Sequence, residues 1–235
     1  MKKITVITIE TNVPSSIIVP LDIFYMSDWF WSKTGVKAKT PYFQVELVSM
    51  DKKPIRCHHN LTLQPVRSID EVSDTDVILI PIIGGPIQNI LDTHRPLIDW
   101  LKLHYRRGTV ITAVGTGVFL LAEAGLLDDK IATTHWFYVD KFRQMYPQIQ
   151  LMPERLITED GNVICSGGNS IYDLSLYMIE KYCGHELAVL ASKFFVLDLG
   201  RMSQAPYTIF DFQLDHRDQE ILKAQEWIQD HSFTC

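Results

Sequence analysis

The sequence predicts an α/β fold with a mostly parallel sheet. Strand-like and helical runs alternate along most of the chain, the signature of repeated strand–helix–strand units. Val77–Ile83 and Thr109–Val114 are strand-like runs without charge, as expected for strands covered on both faces. The composition is that of a folded globular chain. Of 235 residues 46% are hydrophobic and 21% charged, which excludes a disordered, fibrous or disulfide-scaffolded protein.

The elements follow in order. Ile4–Ile9 reads as an opening strand. It is too short for the apolar core of a secretion signal. Ser15–Ser32 reads as a helix, broken or bent near Pro20. Tyr42–Met50 is a second strand, with Phe43, Val45 and Leu47 alternating. Ile55–Val66 suggests a hairpin-like excursion turning at Asn60, and Ser68–Val72 a helical turn. After the Val77–Ile83 strand, Pro96–Arg106 places Leu97, Trp100, Leu101 and His104 on one helical face, with Gly108 as its cap. Thr109–Leu127 carries one charge, Glu123, over nineteen residues. Its β-rich start and Gly115-Thr116-Gly117 divide it into a buried strand, a turn and a helix rather than a membrane span.

Trp136–Tyr146 is expected to be helical, ended by Pro147. Leu156–Cys165 holds two short strands around Asp160-Gly161, a hairpin signal. Ile171–Tyr182 and Glu186–Asp198 are helices separated by Cys183-Gly184. Arg201–Asp215 is irregular. Asp218–Asp230 is amphipathic through Ile221, Ala224 and Ile228. That helix either docks back on the body or begins a further domain.

The four cysteines, 57, 165, 183 and 235, form no CxxC pair and suit free thiols in a reducing cytoplasm. Cys57-His58-His59 is a poor metal site, because neighbouring side chains on an extended segment point to opposite faces. No metal and no cofactor is expected. The phosphate-loop and dinucleotide fingerprints are absent.

The strongest chemical signal is Thr112-Ala113-Val114-Gly115-Thr116-Gly117-Val118, a buried strand entering a sharp turn and then a helix. This is the layout of a nucleophile elbow, yet its apex offers Gly115 and Thr116 rather than Ser or Cys. Gly84-Gly85 ends the preceding strand, and Gly167-Gly168 leads through Asn169-Ser170 into another helix. Three glycine turns at the carboxyl ends of parallel strands should converge on one pocket. Thr133-Thr134-His135-Trp136 follows a short strand, and His135 could orient a ligand. The expected ligand-binding residues are Gly84, Gly85, Gly115, Thr116, His135, Trp136 and Asn169. No catalytic residue is assigned.

Pro20-Leu21-Asp22-Ile23-Phe24, the Asp76–Gly85 strand with its glycine pair, Phe119–Asp128, Ala132–Trp136, Ile171–Leu176 and Arg201–Tyr207 together resemble one known family. It is the class I glutamine amidotransferase-like superfamily, PfpI-type branch. The closer likeness is to the N-terminal domains of AraC/XylS-type transcriptional regulators. The resemblance implies a three-layer, flavodoxin-like or amidotransferase-like sandwich over residues 1–200. It implies that 201–235 connect to a C-terminal helix-turn-helix DNA-binding domain whose first helix is Asp218–Ile228. It further implies a cytoplasmic, ligand-sensing homodimer that responds to a small-molecule effector and has no membrane partner. Catalytic relatives place Cys at the elbow, where this chain has Gly115, so enzymatic activity is not expected. The alternative is a PfpI-type hydrolase, hydratase or amidotransferase-like enzyme using Thr116 or a displaced Cys165.

Charge sharpens this division of labour. The chain carries 22 Lys and Arg against 28 Asp and Glu, a net −6. From Arg201 onward three basic residues face six acidic ones, so that part is acidic too. The chain itself should not bind DNA.

Overall fold

Successive side chains of the central strands point to opposite faces and both faces are buried, and this sets the architecture. The computed structural model describes residues 1–35, 41–57, 60–208 and 218–231. In chain order the strands are β1 (Lys2–Ile7), β2 (Phe43–Ser49), β3 (Ile55–Arg56), β4 (Thr62–Leu63), β5 (Arg67–Ser68), β6 (Val77–Ile80), β7 (Val110–Val114), β8 (Ile131–Ala132), β9 (Gln150–Leu151), β10 (Ile157–Asp160) and β11 (Val163–Ser166). The helices are α1 (Ser15–Lys33), α2 (Ile87–Thr93), α3 (Arg95–Arg106), α4 (Val118–Glu123), α5 (Val139–Met145), α6 (Ile171–Cys183), α7 (His185–Phe195) and α8 (Gln219–His231).

Seven strands form one sheet in the order β10-β11-β7-β6-β1-β2-β5. Every pairing is parallel except β10 with β11. In β6, Val77 and Leu79 point to one face and join Ile4, Val6, Ile17, Phe24 and Leu174. Ile78 and Ile80 point to the other and join Leu97, Leu101, Phe119 and Phe142. Helices α1, α6 and α7 cover the first face; α2 to α5 cover the second. The three-layer α/β sandwich is therefore as expected. Strands β2 and β5 lie on one side of β1, and β6, β7, β11 and β10 on the other. The switch point of the sheet lies between β1 and β6.

Several boundaries differ for identifiable reasons. The sixth strand ends at Ile80 rather than Ile83, because Pro81 has no N–H for the ladder. Ile83 instead bridges back to Asn12. Helix α1 continues through Pro20 as one element. Trp136–Tyr138 is a 3-10 turn, and the α-helix starts only at Val139. Helix α7 stops at Phe195, where Val196 takes a left-handed conformation (φ +56°). Helix α2 and the two-residue strands β5 and β9 were not expected from the sequence, whereas the short strand expected ahead of Thr133 is β8. The β3–β4 hairpin forms as anticipated, with Asn60 at φ +64°. His58 and His59 lie outside the described residues. Among those described, no helix is long and apolar enough to cross a membrane.

Candidate functional site: a glycine elbow closed by its neighbours

Strand β7 is buried from Ile111 onward, and its chain leaves the sheet through a 3-10 turn at Gly115–Gly117 before entering α4. Gly115 has φ +53°. A Cβ there would stand 2.7 Å from the carbonyl oxygen of Gly168. A Cβ on Gly117 would stand 2.5 Å from the carbonyl oxygen of Pro81. Real side chains do not tolerate such approaches to backbone, so both glycines are required by packing and Gly115 by conformation as well.

Thr116 is 2% exposed and fastens the elbow to the neighbouring turn. Its hydroxyl donates to the carbonyl of Ile83 at 2.5 Å and accepts from the Ile83 N–H at 3.1 Å. Thr134, also buried, donates its hydroxyl to the Gly115 carbonyl at 2.8 Å. The turns after β6, β7, β8 and β11 are thus brought together at one carboxyl edge. Within them the expected ligand residues have different standings. Gly115 and Thr116 are buried, and the Thr116 hydroxyl is engaged in both directions. Gly84 is half-buried and its N–H donates to the Thr11 carbonyl at 2.7 Å. Gly85 and Asn169 are exposed. His135 and Trp136 are half-buried, their rings 5.4 Å apart.

His135 caps the 3-10 turn that follows it, because its Nδ1 accepts from the Phe137 N–H at 3.1 Å. The proton of the neutral ring is then on Nε2. Burial pushes the His135 pKa below the ordinary imidazole value. The ring is therefore a neutral donor near pH 7.

Among the described residues, no thiol has the lowered pKa of a nucleophile. Cys165 lies beside Ala113 in the sheet, is 1% exposed, and burial pushes its thiol up to about 12. Burial also raises Cys183 to about 12. The pKa of Cys57 is raised by burial, with the Glu10 charge adding to it. Nucleophilic cysteines need depressed, not raised, pKa values. Glu10 itself lines a separate cleft of about 460 Å³ with Thr8, Met50, Asp51 and His94, beyond β1 on the β2 side. Among the described residues no group of three or more His, Cys, Asp or Glu is placed to hold a metal ion.

Sequence reasoning missed Gln204. This residue is 1% exposed and reaches from the irregular segment after α7 into the turn behind the elbow. Its Nε2 donates to the carbonyls of Thr134 and Pro153, each at 2.8 Å. A Cβ on Gly167 would overlap its carboxamide at 2.3 Å. An isolated Gln in a segment without periodicity carries no burial signal. The only available hint was that it stands in the stretch Arg201–Tyr207.

Residues 3–181 match the DJ-1/PfpI family. The chain belongs to it. The DJ-1/PfpI domain occurs in proteins of different kinds. The chain is 28% identical over 155 residues to the HTH-type transcriptional regulator CdhR of Pseudomonas aeruginosa, covering 66% of this chain and 45% of the regulator. It is 31% identical over 157 residues to isonitrile hydratase of Pseudomonas putida, covering 66% of each. Among solved structures, a Vibrio parahaemolyticus protein described as a transcriptional regulator superposes with a TM-score of 0.70 at 26% identity, covering 82% of this chain and 98% of that one. The match with CdhR spans less than half the length of that regulator.

Proposed function

We propose that this DJ-1/PfpI domain is the ligand-sensing, dimerising part of an AraC-type transcriptional regulator and is not itself an enzyme. The observation that carries the reading is the elbow. Its apex is Gly115, a position where a Cβ has no room, and the described thiols, Cys57 and Cys165 buried and Cys183 half-buried, have raised pKa values. The likeness to HTH-type regulators points the same way. DNA would be bound by a C-terminal helix-turn-helix domain whose first helix would be α8, in the cytoplasm, with the acidic body controlling it.

The effector would sit at the carboxyl edge beside the elbow. Gly84, Gly85, Gly115, Thr116, His135, Trp136 and Asn169 would surround it. Thr116 and Gly115 would shape the floor, since the Thr116 hydroxyl is already engaged by Ile83. The neutral His135 would donate from Nε2, Trp136 would supply an apolar wall, and Gly85 and Asn169 would form the exposed rim. A thermal-shift screen of metabolites should yield a compound that stabilises the wild-type chain. Asn169→Trp, at an exposed position, should abolish that shift. A shift that persists in the variant places the pocket elsewhere.

The relationship to isonitrile hydratase supports a second reading, an enzyme of the same family. That reading requires turnover lost in Cys165→Ser, the one buried thiol on a strand adjoining β7.

A further inference from the structure

The setting of Gln204 is unbalanced in a way that suggests a ligand. Its single Nε2 has four acceptors in reach. Besides the Thr134 and Pro153 carbonyls they are Thr133 Oγ1 at 3.2 Å and the Arg155 carbonyl at 3.3 Å. A carboxamide nitrogen has only two hydrogens to share among them. Its Oε1, meanwhile, is buried without any partner. The Arg155 carbonyl already accepts from the Thr133 hydroxyl at 2.8 Å, yet the three remaining acceptors still outnumber the two hydrogens, and the occupant brings an acceptor of its own that nothing satisfies. An ammonium group has three donors and no acceptor, so it fits this cradle better than the carboxamide does.

The surroundings favour the same charge. A cleft of about 570 Å³ borders the cradle at Arg155, Arg201 and Met202. Its wall carries four carboxylates, including Asp173 and Asp198, against those two guanidinium groups. Gln204 is also held by a detachable strap. Arg201 pairs with both oxygens of Asp173 at 2.8 and 2.5 Å, the Met202 carbonyl accepts from the Leu156 N–H, and the Gln204 N–H donates to the Glu154 carbonyl. This strap leads onward to α8.

We propose that the cradle under Gln204 is a binding site for a primary ammonium group, kept shut by the Gln204 carboxamide, and that an amine entering it releases the strap Arg201–Tyr207. Use of the site in signalling rests on the sensor reading above; the cradle itself does not. Cationic recognition by neutral carbonyls is ordinary charge-assisted hydrogen bonding.

The test is chemical rescue. Gln204→Ala removes the plug, and its melting temperature is measured with methylammonium chloride, tetramethylammonium chloride and sodium chloride at equal ionic strength. Methylammonium should raise it by about 2–4 °C beyond the other two salts, which lack N–H donors. Equal effects of all three salts overturn the cradle. Wild-type chain gives a second readout that does not depend on the variant folding. Methylammonium, but not tetramethylammonium, should accelerate trypsin cleavage after Arg201. Unchanged cleavage at concentrations that rescue Gln204→Ala overturns strap release. Gly167→Ala, which evicts the carboxamide sterically, should show that accelerated cleavage with no amine present. A wild-type chain stabilised by some metabolite while Gln204→Ala ignores methylammonium overturns the cradle and leaves the sensor reading standing. Rescue with no stabilising metabolite supports the cradle and removes the sensor reading.

Discussion

The elbow and helix α8 are opposites. At the elbow every neighbour closes in. Gly115 and Gly117 touch backbone oxygens, Thr116 is bonded in both directions to Ile83, and Gln204 fills the turn behind. Helix α8 has good local chemistry, with Asp218 accepting from the N–H groups of Glu220 and Ile221. Yet Ile221, Trp227 and Ile228 are 49%, 63% and 45% exposed. The docking of this helix against the body, one of two possibilities open from its amphipathic pattern, is not what the structure shows. One region is complete within the chain; the other presents an apolar face suited to a further domain. The contrast separates what the DJ-1/PfpI domain does alone from what it would pass on.

The largest expected effect lies at the elbow. Gly115→Cys should restore no thiol chemistry and should destabilise the chain by about 3–5 kcal/mol, since a left-handed L-residue is strained and its Cβ meets backbone. A urea unfolding midpoint close to wild type would show that the elbow is looser than its contacts imply. Gln204→Ala should cost about 1–3 kcal/mol in the same measurement, because buried carbonyls lose their donor. Thr116→Val keeps the shape and removes the clamp, at about 1–2 kcal/mol.

A smaller effect is expected from pH. His104 is 1% exposed, and its pKa is lowered by burial first and by the Arg107 charge second. Its unfolded value is about 6.5. With the folded value below that, the unfolded state takes up the proton first. The contribution of His104 is present above the unfolded value and is lost as pH falls through it. The melting temperature should therefore decline from pH 7.5 towards 5.5, and less steeply in His104→Gln. The smallest effect belongs to the tail. Ending the chain at Thr208 removes α8 and should change stability by no more than about 0.5 kcal/mol. A larger loss would mean that α8 is bound to the body after all.

Much of this was legible in the sequence, and unevenly. The central strands announced themselves because burial on both faces demands continuous apolar runs such as Val77–Ile80. The elbow was visible as glycine between a strand and a helix. What glycine was for was not visible, because the Gly168 and Pro81 oxygens that exclude a Cβ come from distant parts of the chain. That the Thr116 hydroxyl clamps Ile83 was hidden for the same reason, its partner standing 33 residues away. Short strands such as β5 and β9 are made by pairing alone and leave no periodic trace. Gln204 was the hardest of all, a polar residue buried by its acceptors rather than by its own pattern.

The central claim is that this chain senses a small molecule at the carboxyl edge and does not transform it. The direct measurement is to incubate the wild-type chain with the most stabilising compound of a metabolite screen and follow both the melting temperature and the compound. The account predicts a raised melting temperature with the compound recovered intact over many hours. Catalytic consumption of the compound, abolished by Cys165→Ser, would contradict it.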